Sequence, residues 1–249
     1  MKVTSIFFIF LLLLSSCSKE YKNERDPVSY NNKGIVLSGK GNYKGAIEMY
    51  DQALVFDANF IDAYSRKGNA LEKLGRYEEA LIIYSQGMEI NSKNINILNG
   101  KGSALNNLGR YDESIDAYEE AIEIDPEDSI AYNGKGVALF KSGKYADAIR
   151  MYNKAIEIDP LFIDAYIGKG EILKRTIQYE EAIAMYDGVL VQEPENTLIL
   201  NAKGDILMAT EKYEEAIKIY DTVIGLDRKN TTAKEGKILA ESKLIKTDN

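Results

Sequence analysis

Few residues in this chain are equipped for covalent or acid–base chemistry. It has 249 residues, no histidine and no tryptophan. Without histidine, the side chain that most readily exchanges protons near neutral pH and ligates metals is missing. The single cysteine, Cys17, excludes an internal disulfide and a thiolate metal site. Carboxylates are frequent, but none stands out as an acid/base couple. Gly34–Gly41 reads GIVLSGKG, close to a phosphate-cradling loop, yet glycine stands where that loop needs a metal-binding hydroxyl. No catalytic role, cofactor or small-molecule substrate is expected.

The one position with a clear chemical use is Cys17. Met1–Ser16 has one lysine, then a nine-residue apolar run, Ile6–Leu14, and small residues after it. That run is too short to span a bilayer and reads as a secretory signal. Leu14-Ser15-Ser16-Cys17 resembles the bacterial lipobox. The resemblance implies a diacylglyceryl group on the Cys17 thiol, cleavage before it and acylation of the new amine. Each buried CH₂ contributes about 0.8 kcal/mol, so several chains anchor stably. The expected layout is a signal peptide over 1–16 and a lipidated tether over 17–26. Contact with the membrane would then be through the lipid only. Ser18, where an aspartate favours inner-membrane retention in enterobacteria, tilts the expected location towards the outer membrane of the cell envelope.

Charge excludes other partners. The formal net charge is −8, and removal of residues 1–16, with Lys2 as their one cation, leaves −9. An acidic body argues against nucleic acid and against broad adhesion to anionic lipid.

What positions the remaining polar groups is a repeat. Lys33-Gly34, Lys67-Gly68, Lys101-Gly102, Lys135-Gly136, Lys169-Gly170 and Lys203-Gly204 recur at one constant spacing without an insertion. A fixed period of this size means stacked units. They are 27–60, 61–94, 95–128, 129–162, 163–196 and 197–230, each predicted as a pair of helices joined by a short turn. In the fourth, the helices are Ile130–Ser142 and Ala146–Ile158, with Gly143 suited to a left-handed turn residue between them. Gly41, Gly75 and Gly109 repeat that feature; Ile177 and Glu211 do not. Acidic pairs open second helices, as at Glu78-Glu79 and Glu214-Glu215, facing the positive end of the dipole. Residues 231–249 begin a seventh unit and are expected as a capping helix with a frayed end.

Tyr132, Gly136, Leu139, Ala148, Tyr152, Ala155 and Pro160 occupy the positions of a known signature. From residue 27 to residue 230, most of its length, the chain resembles the tetratricopeptide repeat (TPR) family. The resemblance implies an all-α, right-handed solenoid of six 34-residue helix-turn-helix repeats plus the cap. One departure is systematic: lysine replaces the leucine of the family's Leu-Gly pair in all six units. Its stem is expected to cover apolar surface with the ammonium snorkelling out. Small residues opposite each glycine are expected to let helices approach. The ladders Tyr43 to Tyr213 and Tyr50 to Tyr220 are read as inter-helix packing.

In that family the first helices line a concave groove that binds a protein or peptide. The positions it assigns here include Asn99, Asn106, Ile130, Asn133, Val137, Phe140, Lys141, Ile167, Glu171, Lys174 and Asn201. An amide both donates and accepts, so the recurring Asn31, Asn99, Asn133 and Asn201 suit a peptide backbone. Phe140 and Val137 add an apolar pocket. The expected function is a non-enzymatic, membrane-anchored interaction scaffold in envelope complex assembly. A pilotin-like or outer-membrane assembly factor is the narrower alternative. A regulator or adaptor of a cell-wall enzyme is the alternative of another class.

Overall fold

The computed structural model describes residues 26–247. The signal, lipobox, Cys17 and all of the tether but Asp26 lie outside the described residues. The described chain is all-α and divides into two units, the first ending at Asp125 and the second beginning at Pro126.

The first unit holds α1 (Pro27–Gly39), α2 (Tyr43–Phe56), α3 (Ile61–Lys73), α4 (Tyr77–Ile90), α5 (Ile95–Asn107) and α6 (Tyr111–Ile124). The second holds α7 (Ser129–Lys141), α8 (Tyr145–Ile158), α9 (Ile163–Arg175), α10 (Tyr179–Gln192), α11 (Thr197–Ala209), α12 (Tyr213–Leu226) and α13 (Thr231–Thr247). Odd-numbered helices α1 to α11 are the first helices of the repeats. Helix ends fall within a residue of the sequence expectation in the fourth repeat.

Local chemistry explains the boundaries. Asp26 precedes Pro27, and the Ser29 amide donates to its Oδ1 at 2.8 Å. Asn94, Asp128 and Asn196 cap α5, α7 and α11 in the same way. Glu79 and Glu113, in the first turns of α4 and α6, pair with Arg76 and Arg110 just before those helices. After each first helix one residue adopts positive φ: Gly41, Gly75 and Gly109 in the first unit, Gly143, Ile177 and Glu211 in the second. The next amide can then reach back to the end of the first helix, as Arg76 N–H does to Leu71 O at 3.0 Å and Gln178 N–H to Leu173 O at 2.8 Å.

The core of each unit is a stack of small residues and rings. Ala46, Ala80, Ala148, Ala182 and Ala216 are fully buried. Ser114 takes their place in α6 and, buried, donates to the Gly102 carbonyl at 2.8 Å. Tyr50, Tyr84, Tyr118, Tyr152, Tyr186 and Tyr220 are all buried. These rings, rather than the alanines, are what the helical glycines accommodate. A Cβ placed on Gly136 would lie 2.7 Å from the Tyr152 ring, and one on Gly168, in the next first helix, 2.5 Å. Gly204 and Gly236 flank Tyr220 likewise, and Gly68 and Gly100 flank Tyr84. Glycine in a helix costs roughly 1 kcal/mol against alanine. The wedged ring recovers that cost, since each buried aromatic removes a large apolar area from water.

At this register position several lysines are not free snorkels. Lys67 Nζ lies 2.6 Å from Asp51 Oδ1 on the preceding second helix, Lys203 pairs with Asp187 at 2.5 Å, and Lys237 with Asp221 at 2.6 Å. The stems cover apolar surface, but each of these heads ends on a carboxylate of the repeat before it.

Among the described residues no helix is long and apolar enough to cross a membrane. α13 buries Ala233 and Ala240 and exposes Ile238, Leu239 and Ile245.

Candidate binding faces on the first helices

The 34-residue register puts three residues of every first helix in line along one face. In the first unit these are Asn31, Ile35 and Ser38 on α1, Ser65, Asn69 and Glu72 on α3, and Asn99, Ser103 and Asn106 on α5. In the second they are Asn133, Val137 and Phe140 on α7, Ile167, Glu171 and Lys174 on α9, and Asn201, Asp205 and Met208 on α11. Gly34 and Gly39 lie within α1, and Gly34 abuts Tyr50, so the loop-like run before Gly41 is helix rather than a phosphate cradle. Among the described residues no group of three or more acidic or cysteine side chains could hold a metal ion.

In the second unit the structure gathers one aromatic–cation cluster. The Arg175 guanidinium sits 5.0 Å from the Phe140 ring centre and Lys141 Nζ 5.8 Å from it. Tyr145, at the start of α8, packs on Phe140 with ring centres 5.7 Å apart. Glu171 accepts from Lys174 at 2.9 Å and from Arg175 at 3.0 Å. Burial alone would raise the Glu171 carboxyl; the two cations outweigh it and hold it below the usual carboxylate range. Two cations therefore flank Phe140, and Glu171 ties one of them to Lys174. Val137 and Ile167 are half-buried, while Ile130 is 56% exposed.

The asparagines are not solvated surface amides. Asn31 and Asn201 are buried, and Asn99, Asn106 and Asn133 half-buried. Oδ1 of Asn31, Asn133 and Asn201 is sealed from solvent without a hydrogen-bond donor. Such an acceptor costs about 1–3 kcal/mol until a donor reaches it. Asn201 also has a packing role: its Nδ2 donates to Asn230 Oδ1 at 3.4 Å, and Asn230 caps α13.

The first unit gathers a different set. Tyr84 threads between Gly68 and Gly100, and its hydroxyl emerges 2.6 Å from Glu72 Oε1 and 2.6 Å from Asn69 Oδ1. The Ser103 hydroxyl donates to Glu72 Oε2 at 2.6 Å. One phenol proton cannot serve two acceptors; with the Asn69 amide turned over, its NH₂ donates to the phenol and the phenol to Glu72. Burial pushes the Glu72 carboxyl above its usual range, with the Ser103 and Tyr84 hydrogen bonds and the Lys73 charge opposing. In the second unit the Tyr220 hydroxyl donates to Asp205 Oδ1 at 2.8 Å.

The repeat register assigns Phe140, Lys141, Glu171 and Lys174 to one region, and the structure brings them together. The register also places Arg175 in the lining, without foretelling its seat over Phe140, and leaves Tyr145 and Tyr84 as packing alone. A signal for Tyr84 is present in the sequence: Gly68 and Gly100 stand at equal intervals before and after it, so a ring at that height has space on both sides.

Models described as tetratricopeptide repeat match residues 61–94, 99–161, 139–206 and 177–237, and a model described as TPR repeat matches 36–75. A comparison with curated proteins finds no match. Among solved structures the fold is similar to that of PilW, described as a widely conserved type IV pilus biogenesis factor. The TM-score is 0.72 at 17% identity, over 84% of this chain and 97% of that one. Pseudomonas aeruginosa PilF gives 0.66 at 20% identity, over 84% and 95%. YrrB, described as having an unusual peptide-binding site, gives 0.51 at 21% identity, over 76% and 97%.

Proposed function

The chain belongs to the tetratricopeptide repeat family, and we propose that it is a non-enzymatic scaffold that binds a protein or peptide along its first helices. The observation that carries this reading is the contrast between scaffold and face. Tyrosine, glycine and alanine recur from repeat to repeat, and asparagine fills the first aligned face position in four of six, while the second and third aligned positions carry a different residue in every repeat. Nothing in the packing requires Phe140 to lie half-exposed under Arg175 and Lys141. Asn133, two turns earlier on α7, holds an unmet acceptor that an extended peptide N–H would satisfy once the amide turns outward.

Export and lipidation at Cys17 complete the proposal. The body would be held at a membrane of the envelope by acyl chains, with the outer membrane favoured by Ser18. Envelope complex assembly of the pilotin kind is the narrower version. It is supported by an architecture shared with PilW and PilF, a likeness of fold.

Crosslinking in the native envelope, with Cys17→Ala as the unanchored control, identifies the partner. The double variant Phe140→Ala and Asn133→Ala should then weaken its binding at least tenfold. Unchanged affinity would remove the second unit's face from the binding site.

A further inference from the structure

Glu72 is a half-buried carboxylate held in one orientation by two hydroxyls from other helices, Tyr84 on α4 and Ser103 on α5. Each carboxylate oxygen has lone-pair capacity beyond the one bond it accepts. Among the described residues no cation forms an ion pair with it. Lys73, its neighbour on α3, is exposed and acts only at a distance. This separates Glu72 from Glu171, whose two oxygens are taken by Lys174 and Arg175.

Packing does not call for a carboxylate here. The same register position carries Ser38, Asn106, Phe140, Lys174 and Met208 in other repeats. Burial also disfavours the ionised form, so the acid is retained against a cost. A second observation points the same way. Asn31, on the same aligned face of α1, is only 5% exposed, and its Oδ1 has no donor. The unmet capacity of the first unit's face is therefore acceptor capacity, on a protein whose net charge of −8 draws in cations.

We propose that the first unit binds an extended peptide through a lysine or arginine side chain that pairs with Glu72, with a donor of the same peptide going to Asn31 once its amide turns outward. The inference rests on the peptide-binding reading above and specifies the chemistry of one occupant. The two hydroxyls keep the carboxylate aimed before the cation arrives, so no side-chain ordering of Glu72 is added on binding. A guanidinium could take both oxygens at once and an ammonium one.

The test is a displayed library of random dodecapeptides selected on the full chain, followed by anisotropy with the best synthetic peptide. Lysine or arginine should be enriched at one position. Glu72→Gln should weaken that peptide at least tenfold, and replacing its basic residue by norleucine should do the same. The two changes together should cost little more than either alone. Ser103→Ala, which spares the charge, should weaken binding far less, and first-unit amide protection in Glu72→Gln no lower than in the wild type verifies its fold. Selected peptides without a basic residue, or full affinity in Glu72→Gln, would overturn this inference and leave the peptide-binding reading standing. Selection of no peptide at all would sink both.

Discussion

The two units are built on one template and differ in two places. The first unit turns out of each first helix on glycine, at Gly41, Gly75 and Gly109, with φ between 73° and 77°. The second does so once, at Gly143, and then places Ile177 at φ 61° and Glu211 at φ 59°. The amide that follows makes the same bond regardless, at 3.0 Å after Gly75, 2.8 Å after Ile177 and 3.0 Å after Glu211. The turn is therefore dictated by the packing of the two helices it joins, and the residue at it complies. The second difference lies on the aligned faces. Of nine such residues the first unit has one apolar side chain, Ile35, and the second has four, Val137, Phe140, Ile167 and Met208. Scaffold and face thus vary independently.

The largest effect should be the same in both units. Tyr84→Ala and Tyr152→Ala each remove a fully buried ring from between two glycines. Each should cost about 3–5 kcal/mol, read as lost amide-exchange protection confined to the unit that carries the change. A cost present in one unit and absent in the other would break the claim of a common scaffold. Exchange suits this better than a single melting curve, because a repeat array does not always unfold in one step.

The turns should respond with opposite signs. A left-handed residue other than glycine costs about 1–2 kcal/mol. Ile177→Gly should therefore raise protection in the second unit by about that amount, and Gly75→Ile should lower it in the first by as much. No gain from Ile177→Gly would mean that its exposed side chain, 71% accessible, has a contact beyond the described chain.

The tyrosine hydroxyls separate the faces. Tyr84→Phe removes the donor to Glu72 and should cost about 1 kcal/mol. Tyr152→Phe should cost little, because burial alone shifts that phenol. Glu72 adds a pH signature. Its folded carboxyl binds a proton more tightly than an unfolded one. The stability this contributes is present at low pH and is lost as pH rises from the ordinary carboxylate value through the raised one. Protection of the first unit should show that decline in the wild type, and Glu72→Gln should remove it.

Much of this architecture was legible without coordinates. The 34-residue period located every helix pair, and Asp26-Pro27 its first start. The left-handed turns at Gly41, Gly75, Gly109 and Gly143 followed from residue type. Those at Ile177 and Glu211 did not, because packing overrides intrinsic preference there. The Tyr84–Glu72–Ser103 group was hidden for another reason. Its members sit on three helices, and periodicity reports which face a residue occupies, not which side chain from a neighbouring element reaches it.

The lysines illustrate that limit and supply the smallest effect. The invariant lysine before each glycine reads as a snorkelling stem, since its own helix offers no partner. For Lys67 and Lys203, and for Lys237 at the same register in α13, the partner comes from the preceding second helix, as Asp51, Asp187 or Asp221, one residue beyond the wedged tyrosine; before Lys101 and Lys169 that position holds Ser85 and Asn153. The Lys67 side chain is 18% exposed and that of Asp51 46%, so solvent screens much of the attraction. Lys67→Met keeps the stem over the apolar surface and deletes the charge. It should cost about 0.2–1 kcal/mol, shrinking as salt is raised. Lys203→Met should match it in the second unit, since the pair is the same there. A much larger loss in one unit would show that its lysine does more than bridge two repeats.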